Sequence, residues 1–357
     1  MGFGLYLHIP YCLAKCRYCD FYSARASRGV PDEYVDALIA RMAAMCPGRP
    51  ETVYFGGGTP SLLSPAQVSR LVRAAGPLPG AEITLEANPE TVDEEKLAGF
   101  RAAGVNRLSL GVQTADDESL SRLGRPHTAA QSKAALAAAR AAGFENITGD
   151  IMLALPHYTR EEFDRTLALL AEGGATHISA YLLKIEPGTP FGKNPPPGLP
   201  NEDEAADFYL YAVDELAKAG YAQYEISNFA RPGFEGRHNL IYWDCRDYLG
   251  LGPAAASCME GKRFSFGRST ADFLAGAAPA PEGECTGADY IMLRLRLAEG
   301  LRLSLLKERY GLAFDEGRLA FIRRCVAAGY AVFDGDRLTL TPEGMLVQNS
   351  ILTELLP

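Results

Sequence analysis

Short apolar, β-prone runs alternate with amphipathic stretches from residue 4 to about 185. The runs at 5–9, 52–55, 82–86, 107–111, 147–153 and 177–183 have the length and the bounding turn residues of strands. Between them, apolar side chains recur at helical spacing: Val35, Leu38, Ile39, Met42 and Met45 mark one face, and Phe163, Leu167 and Leu170 another. Thr91 with Glu94, and Thr159 with Glu162, have the spacing of capping boxes and predict two helix starts. Six strand–helix units in series predict an α/β fold with a parallel sheet and helices outside it, either doubly wound or curled into a partial (β/α)6 barrel.

The pattern changes after residue 183. The Pro- and Gly-rich stretch 184–200 reads as a surface excursion, and 201–220 as a helix. "YEISNFARPGFEGRHNLIYW" and "YLGLGPAAAS" read as strands and loops that complete the first domain up to residue 274. A second break predicts a linker at 275–287. The segment 288–357 then predicts a small winged-helix-like module, because its helices are followed by "YAVFDGDRLTLT", a hairpin pattern with Asp-Gly-Asp at the turn. The expected organisation is a core at 1–183, completing elements at 184–274, the linker and the module.

Composition removes several function classes. A net charge of -9 is wrong for a nucleic-acid binder, which needs basic patches against phosphates, and the C-terminal module has as many acidic as basic residues. No apolar run reaches the ~20 residues of a membrane span, and the N-terminus lacks the layout of a signal peptide, so a cytoplasmic protein with reduced thiols is expected.

Five of the cysteines, at 46, 245, 258, 285 and 325, stand singly and read as small buried hydrophobes. Cys12, Cys16 and Cys19 fall together directly after the first strand. In parallel α/β folds ligands bind at the carboxyl ends of strands, where these thiols sit together with "GGGTP" at 56–60, the stretch 86–89, Gln113 and Asp150. Two metal readings compete: a zinc site completed by His8, or an iron–sulfur cluster in which three cysteines leave one iron open.

Cys-x3-Cys-x2-Cys after the first strand of a six-fold βα chain resembles the radical S-adenosylmethionine (SAM) superfamily. The resemblance implies a [4Fe-4S] cluster on Cys12, Cys16 and Cys19, SAM chelated by its methionine end at the open iron, and an electron donor to the cluster. "YFGGGTPSLL" resembles the superfamily's glycine motif, which implies SAM contacts for Gly57, Gly58 and Thr59; Tyr6 matches a further SAM-touching position. "LEANPE", "LSLGVQT", "LGRPHT" and "GDIMLALP" resemble the oxygen-independent coproporphyrinogen III oxidase family and its heme-chaperone relatives, implying nucleotide-site roles for Glu86, Gln113, Arg125 and Asp150. Taken singly, each is equally a cap, a salt bridge or a surface charge.

Two departures separate the branches of that family. The oxidase has a fourth cysteine where this chain has Phe21, and it carries an arm ahead of the first strand, whereas this chain begins just before that strand. Both match the heme-chaperone branch. "RHNLIYW" at 237–243 resembles a segment of that branch associated with heme, implying His238 as an iron ligand with Tyr242 and Trp243 beside the porphyrin; from the residues alone, His238 and Asn239 equally satisfy backbone groups while the aromatics pack. The expected activity is to bind heme and hand it to an apo-hemoprotein. The alternatives are oxidative decarboxylation of coproporphyrinogen III and a zinc-stabilised binding module. His127, His157 and His177 are expected to be structural or at the surface.

Overall fold

Six strands run parallel in sequence order: β1 (Gly4–Ile9), β2 (Thr52–Gly57), β3 (Glu82–Ala87), β4 (Arg107–Gln113), β5 (Asn146–Leu153) and β6 (His177–Leu182). The computed structural model describes residues 2–26 and 29–356. Each strand starts or ends within two residues of its sequence expectation. Six further strands extend the sheet: β7 (Ala222–Glu225), β8 (Asn228–Ala230), β9 (Tyr248–Leu251), β10 (Ala256–Met259), β11 (Lys262–Ser265) and β12 (Ala280–Glu284). The twelve strands order as β12-β11-β10-β9-β1-β2-β3-β4-β5-β6-β8-β7.

The six strand–helix units pair in parallel as expected, and the added strands make the sheet as a whole mixed. β9 joins β1 in parallel, but both flanks are antiparallel. Tight turns force this: β10 and β11 are joined by Glu260 and Gly261 alone, both at positive φ (50° and 74°), the geometry that closes a two-residue hairpin. β12 lies inside the stretch expected to be a linker. "RHNLIYW", expected as strand or loop, is the helix Arg237–Trp243.

The helices form where apolar spacing predicted them. Asp32–Met45 buries Tyr34, Val35, Leu38 and Met42, and Arg160–Glu172 buries Phe163, Leu167 and Leu170. Their caps differ from expectation in detail. Asp93, not Thr91, caps the helix Glu94–Ala102 by accepting from the Lys96 amide, while Thr91 lies in a preceding 3-10 turn. Thr159 does cap its helix, but Glu162 turns away to accept from the Thr114 hydroxyl at 2.6 Å, so the box is half formed.

The parallel strands have two unlike faces. Leu5, Leu7 and Ile9, then Val53 and Phe55, then Leu108, Leu110 and Val112 are fully buried in the main core. At the alternate positions stand Tyr6 and His8, Tyr54, Thr84 and Glu86, Ser109, Asp150 and Ser179, and these line a cavity instead. A separate core holds the C-terminal unit, where Tyr290, Ile291, Leu306, Ile322, Leu338 and Leu352 pack together over a three-stranded antiparallel sheet of Leu301–Arg302, Arg337–Leu340 and Ala331–Phe333. Among the described residues no helix is long and apolar enough to cross a membrane.

Candidate cofactor site

Tyr6, Cys12, Cys16, Cys19, Gly57, Gly58, Thr59, Glu86, Gln113, Arg125, Asp150 and His238 all line one cavity of about 1070 Å³. The cysteine loop is closed at its base by a two-residue parallel pairing of Tyr11–Cys12 with Ala24–Arg25, and pinned outward by the Arg17 amide on the Leu123 carbonyl at 3.0 Å. The Thr59 hydroxyl donates to Cys12 Sγ at 3.5 Å. Burial raises the Cys16 thiol, opposed by the Arg125 charge, and burial likewise raises Cys19. Among the described residues no group of three or more His, Cys, Asp or Glu is arranged to hold a metal ion.

His8 does not complete a zinc set. Its Nδ1 pairs with the Tyr6 hydroxyl at 3.0 Å and its Nε2 with the Tyr22 carbonyl at 3.1 Å, so both ring nitrogens are engaged. Three cysteines spread along one loop against a glycine-built wall suit a multi-iron cluster, whose thiolates bind different irons.

That wall requires its glycines. Gly57 has φ +115°, and a Cβ there would meet the His8 ring at 2.6 Å; at Gly58 a Cβ would meet the Tyr11 carbonyl oxygen at 2.7 Å and Cys12 Sγ at 3.0 Å. Without side chains, the end of β2 comes directly against β1 and the cysteine loop.

Two half-buried carboxyl groups line the cavity. Glu86 accepts from the Tyr54 hydroxyl at 2.7 Å and from the Gly57 amide at 3.2 Å, yet burial pushes it up to about 7. Asp150 accepts from Ser109 at 2.7 Å and is raised by burial to about 6. Both titrate near neutrality, so either can take hydroxyl donors from a ligand without an obligatory cation partner. Arg125 is held by Asn88 Oδ1 at 2.9 Å and Tyr18 at 2.8 Å, while its Nε is buried with no partner. That leaves an unused donor suited to a carboxylate. Gln113, buried, has φ +67° at a register shift of β4, a left-handed backbone that a residue with a side chain rarely adopts.

His238 lies deep in the same cavity. Its Nδ1 pairs with Thr52 at 2.7 Å, its Nε2 with the Tyr242 hydroxyl at 2.6 Å, and its ring stacks on Tyr54 at 5.0 Å. Burial lowers its pKa to about 3, so it is neutral. A bond from Nε2 to iron therefore requires Tyr242 to swing away. Trp243 packs against the Arg296 guanidinium at 4.5 Å, and Tyr242 edges onto Tyr248 at 4.5 Å. Of the remaining histidines, His127 pairs through Nε2 with the Val112 carbonyl at 3.3 Å, His177 with Tyr224 at 2.8 Å, and His157 sits in a loop at φ +59°.

Tyr54, Ser109, Tyr18 and Asn88, which hold the carboxylates and Arg125, were missed in the sequence. For Tyr54 and Ser109 a signal exists: on β2 and β4 they alternate with fully buried apolar residues, marking a polar inner face. Tyr18 and Asn88 lie in loops and leave no such pattern.

Comparison with known proteins agrees with this architecture. The family profile described as the radical SAM superfamily matches residues 6–170, and that of the HemN C-terminal domain matches 288–347. The structure superposes with a TM-score of 0.84 on coproporphyrinogen III oxidase (HemN) from Escherichia coli, at 24% identity over 99% of this chain and 89% of that one, a likeness of fold. The fold, the cysteine loop and the glycine wall thus define a radical SAM protein. At 38% identity over 98% of this chain and 97% of the relative, it is similar to the heme chaperone HemW of Escherichia coli (strain K12), and at 36% over 99% and 95% to that of Mycobacterium tuberculosis (strain CDC 1551 / Oshkosh). The chain belongs to the HemW family.

Proposed function

We propose that this protein carries a [4Fe-4S] cluster on Cys12, Cys16 and Cys19, binds SAM beside it, and binds heme for delivery to an apo-hemoprotein. The observation that carries the reading is the gathering of all twelve candidate residues on one cavity of about 1070 Å³, large enough for a nucleotide and more. Gly57, Gly58 and Thr59 would hold the methionine end of SAM, the Arg125 guanidinium would offer charge to its carboxylate, Glu86 and Asp150 would accept from ribose hydroxyls, and Tyr6 and Gln113 would add polar contacts. The cluster, when bound, supplies an open iron and an electron that a separate donor protein must replenish. Heme binding by this chain is supported by its similarity to the heme chaperones HemW and by Phe21, which stands 70% exposed on the cavity rim where the oxidase pattern has a thiol.

The same reading covers the finer architecture. The six-strand parallel run is taken as the wall of a partial barrel, and the C-terminal helices with their three short strands as a winged-helix-type module. Eight free thiols suit a reducing compartment such as the cytoplasm. Anaerobic reconstitution followed by heme titration tests the proposal: a saturable Soret change at one heme per chain is expected, and absence of any saturable change sinks it.

A further inference from the structure

The cysteine loop has two sides. Cys12, Cys16 and Cys19 line the cavity, whereas Leu13, Arg17 and Arg25 of the same loop lie off it and stand exposed. Local structure gathers cations on that outer side. Arg25 is the cross-strand partner of Cys12, and the Ala26 amide donates to the Cys12 carbonyl at 2.8 Å. The Arg17 carbonyl accepts from the Phe191 amide at 3.0 Å, which seats the short helix Pro190–Lys193 against the loop and brings the exposed Lys193 to the same edge. At the rim, Arg268 donates to the Asp20 carbonyl at 2.9 Å and Lys15 to the Phe21 carbonyl at 3.4 Å.

This patch runs against the character of the chain. The net charge is -9, and 44 acidic residues are more than enough to pair 35 Lys and Arg. Yet among the described residues the ion pairs include none of Lys15, Arg17, Arg25, Lys193 and Arg268. On neighbouring segments Arg122 and Lys184 are held by Glu118 and Glu186. Asp20 is the only acidic residue between positions 11 and 26. Two large apolar side chains stand among the cations, Leu13 at 41% and Phe21 at 70% exposure. Unpaired charge around exposed apolar groups suits a transient protein contact, in which charge steers the approach and apolar contact holds the pair.

We propose that the outer face of the cysteine loop, with Leu13, Arg17, Arg25 and Lys193 at its centre and Lys15 and Arg268 at its rim, docks an acidic one-electron carrier protein. This inference rests on the cluster assignment above. The residues next in sequence to the cluster ligands form the face, so a carrier seated there is separated from the cluster by one layer of chain. One electron leaves the reduced carrier and enters the oxidised cluster; the carrier is oxidised by one electron, the cluster is reduced by one, and no bond forms or breaks. A heme recipient must instead reach the cavity, off which Leu13, Arg17, Arg25 and Lys193 lie. An anionic bilayer has matching charge, but it presents that charge over a plane wide enough to meet the acidic remainder of the molecule, whereas a small carrier meets the patch alone.

The full chain, reconstituted with iron and sulfide and also iron-free, is titrated with two acidic carriers, a flavodoxin and a [2Fe-2S] ferredoxin. The complexes are then cross-linked with a carbodiimide, which joins lysine amines directly to carboxylates, and mapped by mass spectrometry. Expected is binding of at least one carrier that weakens about tenfold or more between about 0.05 M and about 0.5 M salt, with cross-links at Lys15 or Lys193. The combined reversal Arg17→Glu, Arg25→Glu and Lys193→Glu should weaken binding about tenfold or more at low salt, with parental iron content. The charge-matched set Lys133→Glu, Lys262→Glu and Lys307→Glu, at exposed positions elsewhere, should leave it within about twofold. The proposal is overturned if neither carrier binds, if cross-links fall only on other lysines, if both sets weaken binding equally, or if vesicles of phosphatidylserine and phosphatidylcholine bind through the patch and the carriers do not. Should the first set fail to take up iron, the iron-free titration and the cross-link map decide. Absence of a cluster in the parent refutes the cluster reading instead, and the iron-free titration still tests the face.

Discussion

The Tyr54 hydroxyl donates to Glu86 at 2.7 Å while the second oxygen of the same carboxyl takes the Gly57 amide, so one half-buried acid ties β2 to β3 and braces the glycine wall. This link couples the fold to pH. Glu86 is raised from an ordinary 4.5 to about 7, so the folded state holds its proton where the unfolded state has released it. The stabilisation from that proton is complete below pH 4.5 and is lost as pH rises through 7, a span on the order of 3 kcal/mol. Glu86→Gln is neutral throughout. Chemical denaturation should show the variant gaining on the parent by that order between pH 4.5 and pH 8; an equal gap at both pH values contradicts this account of Glu86.

The Gly57 backbone gives a second expectation. Gly57→Ala must fit a Cβ 2.6 Å from the His8 ring at a left-handed φ, whereas Gly76→Ala, also at positive φ, meets open space. Gly76→Ala should cost about 1 kcal/mol and Gly57→Ala clearly more. Gly57→Val should in addition abolish the SAM-induced change in the electron paramagnetic resonance spectrum of the reduced cluster. Equal thermal shifts for the two alanine variants count against the close approach.

Much of this site was legible in the sequence, for reasons that differ by residue. The cysteines and glycines announce themselves because few chemistries need three thiols in one short loop or three glycines directly after a strand. Glu86, Gln113, Arg125 and Asp150 rested on resemblance, and the structure brings them together on one cavity. The supporting shell was not found. Tyr54 and Ser109 sit at alternate positions of strands first taken simply as apolar runs, whereas their inner faces are polar. The antiparallel flanks were hidden because two-residue hairpins such as Glu260–Gly261 are read from backbone geometry that a single sequence shows only weakly.

The cluster assignment predicts an all-or-none pattern. Cys12→Ala, Cys16→Ala and Cys19→Ala should each prevent stable iron–sulfur assembly, and Cys46→Ala should leave it intact. Iron and sulfide analysis after anaerobic reconstitution decides, and normal iron in any of the three loop variants refutes the ligand set.

Heme ligation by His238 makes a paired prediction, because the Nε2 bond to Tyr242 competes with iron at the same atom. Tyr242→Phe should free the nitrogen and tighten heme binding several-fold, while His238→Ala should weaken it and shift the Soret band. An unaltered spectrum in His238→Ala removes the ligand role and leaves this histidine as a brace between Thr52 and Tyr242.

The central claim separates a carrier of finished heme from an enzyme of porphyrin synthesis that shares its fold. The most direct measurement supplies the reconstituted protein with SAM, a strong reductant and coproporphyrinogen III under anaerobic conditions, and follows loss of carboxylate from the propionates by mass spectrometry. The account predicts no decarboxylated product beyond background, in a preparation that binds heme at one per chain. Conversion of coproporphyrinogen III to protoporphyrinogen IX over multiple turnovers would contradict it.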